Sequence, residues 1–168
     1  AIARLGRRDL RCVLLGSGQG RTAYRRELER LAEKRGLDGI VQFVDDCRDM
    51  AAAYMLADVV VSASTDPEGF GRVVVEAQAM GRPVIGTDHG AAKETIEPGQ
   101  TGWLVAPGDP GALADALGDA LAMTPAARSF MAWKQTDMVR AHFTVRRMCD
   151  ETLALYDEVL ALPSASAA

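Results

Sequence analysis

Short apolar runs alternate along this chain with segments whose apolar residues recur at helical spacing. Residues 10–15 (Leu-Arg-Cys-Val-Leu-Leu), 40–44, 58–62, 84–86 and 102–105 are too short for buried helices. Glycine or polar turns bound them, so they predict buried strands. Between them, residues 24–35 carry Leu28 and Leu31 amid charges and close at Gly36, an amphipathic helix with a glycine C-cap. Residues 47–57 predict a helix capped at Asp46 or Asp49. A further helix runs through Ala77 and Met80 and stops at Gly81, and a short one covers 93–97 before Pro98-Gly99. Asp109 caps a helix over 111–123, and Thr124-Pro125 opens the next with Thr as N-cap and Pro as first residue. A final helix covers 145–160, with Met148, Leu155, Tyr156 and Val159 near helical spacing, while residues 1–8 read as the tail of a helix whose beginning is absent.

Strands alternating with helices predict an α/β fold: a Rossmann-like parallel sheet with helices on both faces and right-handed crossovers. Ligands of such folds bind beyond the carboxyl ends of the strands. One segment is in conflict with its own propensity. Val73-Val74-Val75 is β-branched and favours a strand, but burial of Val73, Ala77 and Met80 on one face predicts a helix instead.

Composition narrows the picture. The chain has 168 residues, 48% of them hydrophobic, enough for one domain with a core over 1–162, followed by a frayed tail at 163–168. A net charge of −4 argues against a nucleic-acid partner. Cys12, Cys47 and Cys149 are odd in number and widely spaced, which implies neither a disulfide framework nor a metal knuckle and fits a reducing cytoplasm. His89 and His142 lack metal-ligand spacing, so no metal site is expected. No apolar run approaches the roughly 20 residues needed to span a bilayer, and no signal peptide is visible.

The chemistry concentrates in Asp66-Pro67-Glu68-Gly69-Phe70-Gly71-Arg72-Val73-Val74-Val75-Glu76. A predicted strand precedes this stretch and a predicted helix starts within it. Such a helix start offers free backbone N–H groups and the positive end of the helix dipole to an anion. Gly69 and Gly71 have no side chain to block a ligand from that backbone. Glu68 stands in the turn, and Glu76 leans back from within the helix because helical side chains point towards the N-terminus. A carboxylate at each end of a phosphate seat suits a diphosphate with hydroxyls on both sides. A nucleotide-sugar has that shape.

Competing motifs carry less. Gly16-Ser17-Gly18-Gln19-Gly20 after the first strand makes a tight turn with a ligand edge, but Arg21 stands where a dinucleotide fingerprint needs its third glycine. His89-Gly90 follows another strand on the sheet edge of Glu68. His142, Trp103 and Trp133 read as structural or packing residues, and no Ser-His-Asp arrangement is readable.

At these residues the chain resembles the nucleotide-sugar-binding C-terminal domain of retaining glycosyltransferases of the GT-B fold, with family 4 (glycosyl transferases group 1) the nearest group. The likeness covers residues 10–160. Its most specific part is Ser64 through Gly71 and on to Glu76, the family's Glu-x7-Glu motif, followed by Ala79-Met80-Gly81-Arg82-Pro83-Val84-Ile85. The Gly16-Ser-Gly turn, the Val41-Gln-Phe-Val44 strand, His89-Gly90 through Glu94, Gly102-Trp-Leu-Val105 and Pro107-Gly-Asp109 match as well.

The resemblance implies roles. Glu68, the catalytic candidate, contacts hydroxyls of the donor hexose. Amides around Phe70, Gly71 and Arg72 hold the diphosphate, Glu76 binds the ribose, Phe43 and Val44 flank the base, and Gly16 and Gly18 form the neighbouring edge. Transfer is with retention and needs neither cofactor nor bound metal, since amides and basic side chains supply positive charge. The partners implied are a nucleotide-sugar donor and an acceptor-binding N-terminal domain, with no transmembrane segment and peripheral membrane association left open to the full-length protein.

Departures from the family pattern are equally specific. The family's donor domain begins with a strand and a loop whose Arg and Lys clamp the diphosphate. This sequence starts after that segment, and Arg72 does not replace that pair by position. A loop usually richer in glycine reads His89-Gly90-Ala91-Ala92-Lys93. The expectation is therefore a transferase fragment, inactive alone, whose last helix exposes apolar surface. A non-catalytic nucleotide or sugar-phosphate binding module is the alternative of another class.

Overall fold

The computed structural model describes residues 1–16, 20 and 22–161; the expected tail lies outside them. Its elements follow the predicted alternation: α1 (Ile2–Leu5), β1 (Cys12–Leu15), α2 (Thr22–Lys34), β2 (Val41–Val44), α3 (Met50–Leu56), β3 (Val60–Ser62), α4 (Arg72–Ala79), β4 (Val84–Thr87), α5 (Ala92–Thr95), β5 (Trp103–Val105), α6 (Pro110–Ala122), α7 (Pro125–His142) and α8 (Val145–Ala161). Every strand pairing is parallel, as crossover helices require. The hydrogen bonds do not form one ladder, however. β1 pairs with β2, and β3-β4-β5 form a second sheet. Each of β1 and β3 keeps one unpaired edge among the described strands, and Val13, Leu14 and Val61 are exposed on their faces.

The larger sheet holds the core. β4 is buried along its whole length and sends alternate residues to opposite faces. Val84 meets Tyr54, Val74, Ala77 and Ile96 on one face. Ile85 meets Val105, Ala116, Leu117 and Ala120 on the other, with Ile2 and Leu5 of α1 packed beside them. Burying one side chain such as Ile85 contributes about 2 kcal/mol. The site-bearing edge is thus built on the best-packed part of the chain.

Helix α4 forms despite its β-branched start, but its buried face is offset from the predicted one. Val74, Val75, Ala77 and Gln78 are buried, whereas Val73 and Met80 are each more than a third exposed. Gln78 is the cause. Its amide donates to Thr95 O at 2.8 Å, and Gln135 of α7 donates to Arg82 O at 2.9 Å and Thr101 O at 2.7 Å. Both glutamines are fully buried, so α4 turns a polar residue inward to meet backbone carbonyls that need a donor.

Other boundaries shift by a few residues. Asp49, not Asp46, caps α3, accepting from Ala52 N at 2.9 Å. Trp103 packs against the core as expected, but Trp133 is 58% exposed beside Phe130 and Lys134, and His142 is exposed at the end of α7. Helix α8 buries no residue and exposes Val145, Met148, Leu153 and Leu160, in line with the apolar surface expected there.

The predicted caps at Asp109 and Thr124 are present. Asp109 accepts from Gly111 N at 2.8 Å and Ala112 N at 3.0 Å, and these amide bonds lower its carboxyl below the ordinary value. A lowered folded value makes the cap's contribution complete above the unfolded aspartate value, near about 3.9. That contribution is lost as pH falls through the lowered value. Asp109→Asn keeps the cap without the charge, so its thermal midpoint should fall less steeply below about pH 4 than that of the natural chain. Parallel acid limbs in the two melting series would contradict this.

Candidate functional site

Chain direction and local turns bring the motif together at the carboxyl ends of β3 and β4. β3 ends at Ser62, and the turn that follows closes at Gly71, the α4 N-cap, with φ +70°. That left-handed conformation suits glycine. No side chain caps this helix, so its first-turn amides have no side-chain acceptor. The turn is locked to its neighbour. Thr87 Oγ1 donates to Ser64 O at 2.8 Å, and Ala91 N donates to Glu68 O at 3.1 Å. Gly90, at φ +54°, lies so close that a Cβ there would sit 2.6 Å from Glu68 O. Backbone thus touches backbone, and the Glu68 position is fixed by the loop after β4.

Ser62, Ser64, Glu68, Gly71, Val74, Thr87, His89 and Ala92 line a cleft at this edge. The Ser64 hydroxyl donates to Glu68 Oε1, holding the carboxylate over the cleft. Both ring nitrogens of His89 are shielded from solvent without a protein partner, so the imidazole has hydrogen-bonding capacity to offer a ligand. Phe70 is half-exposed and rests edge-on against Phe143, with ring centroids 5.8 Å apart. Gly69 has no left-handed φ, and a Cβ there would meet nothing; the protein's own packing does not require glycine at that position.

Glu76 leans back towards the helix start, as helical geometry dictates. Its Oε1 accepts from Arg72 Nε at 3.0 Å and Nη2 at 2.8 Å. Its Oε2 accepts from the Tyr54 hydroxyl at 2.9 Å. Burial first, and the Glu76 carboxylate second, push the Tyr54 phenol up to about 12. Tyr54 therefore stays a hydrogen-bond donor at any ordinary pH.

The remaining candidates sit at the ends of β1 and β2. Gly16 N donates to Val44 O at 3.0 Å, joining that edge. The Arg25 guanidinium lies 5.5 Å from the Phe43 ring centroid and pairs with Glu29 and Asp45. Among the described residues no hydrogen bond or aromatic contact joins this group to the Glu68 cluster, and Gly18 lies outside them. Sequence reasoning gave no role to Tyr54, Ser64, Thr87 or Arg25. Ser64 and Thr87 could have been found from their places at strand ends; Tyr54 and Arg25 sit inside ordinary helical patterns and gave no signal.

The glycosyl transferases group 1 family model matches residues 1–123. The chain belongs to that family. It is 38% identical over 115 residues to a D-inositol 3-phosphate glycosyltransferase of Corynebacterium urealyticum, covering 67% of this chain and 27% of that protein. A glycosyltransferase of Rickettsia africae superposes with a TM-score of 0.90 at 28% identity, covering 96% of this chain and 43% of that one. Anabaena Alr3699/HepE in complex with UDP-glucose superposes at 0.83 with 28% identity, covering 91% and 43%. The group 1 domain therefore spans less than half the length of these proteins. It has the α/β architecture of GT-B glycosyltransferases. No helix among its described residues is long and apolar enough to cross a membrane.

Proposed function

We propose that this domain is the donor-binding half of a retaining glycosyltransferase of family 4, taking a hexose from a nucleoside diphosphate. The observation that carries the reading is the uncapped α4 N-terminus, with Glu68 held by Ser64 in the turn before it and Glu76 leaning back to Arg72 from the second turn, in a chain of this family. Glu68 meets the hexose hydroxyls beside His89. The amides of Phe70, Gly71 and Arg72 meet the diphosphate at the positive end of the helix dipole. Glu76 accepts from the ribose, and Phe43 and Val44 flank the base.

Departure of the nucleoside diphosphate develops negative charge, and fixed amide donors stabilise it as it forms. The transfer runs without a resident metal or cofactor on this reading. An N-terminal domain of the full-length protein brings the acceptor, and the 168 residues alone bind donor without turning it over. The reaction takes place in the cytoplasm, with the full-length protein free to associate peripherally with a membrane.

Titration calorimetry of the chain with UDP, GDP, ADP, UDP-glucose and NAD tests the donor reading. A nucleoside diphosphate and its sugar conjugate should bind, and NAD should not. Binding of NAD alone would overturn the reading. For the full-length protein, turnover of the bound nucleotide-sugar separates a transferase from a non-catalytic binding module, and the anomeric configuration of the product by NMR tests retention.

A further inference from the structure

Tyr54 makes none of the donor contacts proposed above. It lies in α3, the residue is 6% exposed, and it packs among Val74, Ala77, Val84 and Ile96. Core packing fixes that ring, and a buried tyrosine hydroxyl needs a partner. The partner is Glu76 Oε2, on a different helix. Arg72 holds the other oxygen, but from a side chain that is 82% exposed and four residues back on the same helix. Such exposed pairs are held weakly. The two anchors of one carboxylate are therefore unequal: Tyr54 is set by the core, and Arg72 is free to leave.

The structure assigns Tyr54 as a positioning residue that fixes the Glu76 carboxylate for the ribose diol, while Arg72 is the partner the ligand displaces. This rests on the ribose role of Glu76 proposed above. A carboxylate offers about four acceptor directions; Arg72 takes two at Oε1 and Tyr54 takes one at Oε2. When the guanidinium swings towards the diphosphate, Oε1 opens to the ribose hydroxyls. Tyr54 stays, so the carboxylate keeps its rotamer and pays no ordering entropy on binding.

The test is Tyr54→Phe, which removes only the hydroxyl, in calorimetric titrations of the chain with UDP and with 2′,3′-dideoxy-UDP. The natural chain should favour UDP by about 100-fold, the two ribose bonds to the carboxylate being absent from the dideoxy nucleotide. Tyr54→Phe should lose most of that preference and bind the dideoxy nucleotide within about twofold of the natural chain. Equal weakening for both nucleotides, as a general structural defect gives, overturns the assignment; so does an unchanged preference.

A natural chain that binds both nucleotides equally overturns the ribose role itself. The contact is then judged without ligand, by phenolate absorbance in a Tyr24→Phe/Tyr156→Phe background, where Tyr54 is the sole tyrosine of the three in the sequence. Its ionisation near 12 should fall when Glu76→Ala is added, and an unmoved titration shows that the contact is not made. This arm also decides the matter if Tyr54→Phe fails to fold.

Discussion

Gly102→Ala should lower the thermal midpoint of this chain by about 10 °C, through one methyl group forced against the core backbone. Gly102 is not in the left-handed region; its requirement is one of space. It precedes β5 and bridges to Pro98, which brings its α-carbon against β4. A Cβ there would stand 2.5 Å from Val84 O, 2.7 Å from Val84 Cγ2 and 3.3 Å from Ile96 Cγ2. Val84 is in the middle of the core and its carbonyl cannot swing away as a side-chain tip can. Relief requires β5 to move from β4, at a cost of about 3 kcal/mol. At about 2–4 °C per kcal/mol for a domain of this size, that gives the stated fall. Gly69→Ala is the matched control, since its Cβ meets nothing and its φ is ordinary. Its midpoint should stay within about 2 °C of the natural chain. Circular dichroism melts of the two variants settle the matter, and equal midpoints would show that β5 accommodates the methyl group.

What was legible in the sequence was local. Asp109, Thr124 and Gly36 act at helix ends through bonds to the next few residues, so their spacing alone predicts them. The strand–turn–helix around Glu68 was legible for the same reason, and so was the backward lean of Glu76. The buried face of α4 was not. Gln78 and Gln135 look like solvated residues in sequence, and their partners are the backbone carbonyls of Arg82, Thr95 and Thr101, which no residue type announces. Tyr54 was hidden similarly, because a tyrosine after three alanines reads as plain core until its hydroxyl is seen on Glu76. The break between the two sheets was also illegible, since each strand looks complete by itself and pairing is a long-range property.

Glu76→Ala should weaken UDP and UDP-glucose alike by about 100-fold, whereas Glu68→Ala should leave UDP within about threefold and weaken only the sugar conjugate. On the ribose role proposed for Glu76, the first expectation follows from two lost hydrogen bonds to a charged acceptor, each a factor of about ten or more. Both ligands carry the ribose, so both suffer. Glu68 reaches the cleft through a side chain held by Ser64, while its carbonyl, which alanine retains, keeps the bond from Ala91. Glu68→Ala therefore leaves the turn and the amides of α4 in place, and free UDP should hardly notice the change. The two variants also differ in what they do to Arg72. Glu76→Ala releases a guanidinium that the carboxylate holds in the ligand-free chain. Inorganic pyrophosphate, which has no ribose, should then bind at least as tightly as it does to the natural chain, because a free cation now stands beside the anion seat. Calorimetric titration of both variants with pyrophosphate, UDP and UDP-glucose reads all three terms. Equal losses of UDP affinity in the two variants would refute the division of labour, and a loss of pyrophosphate binding in Glu76→Ala would show that the carboxylate supports the turn rather than the ribose.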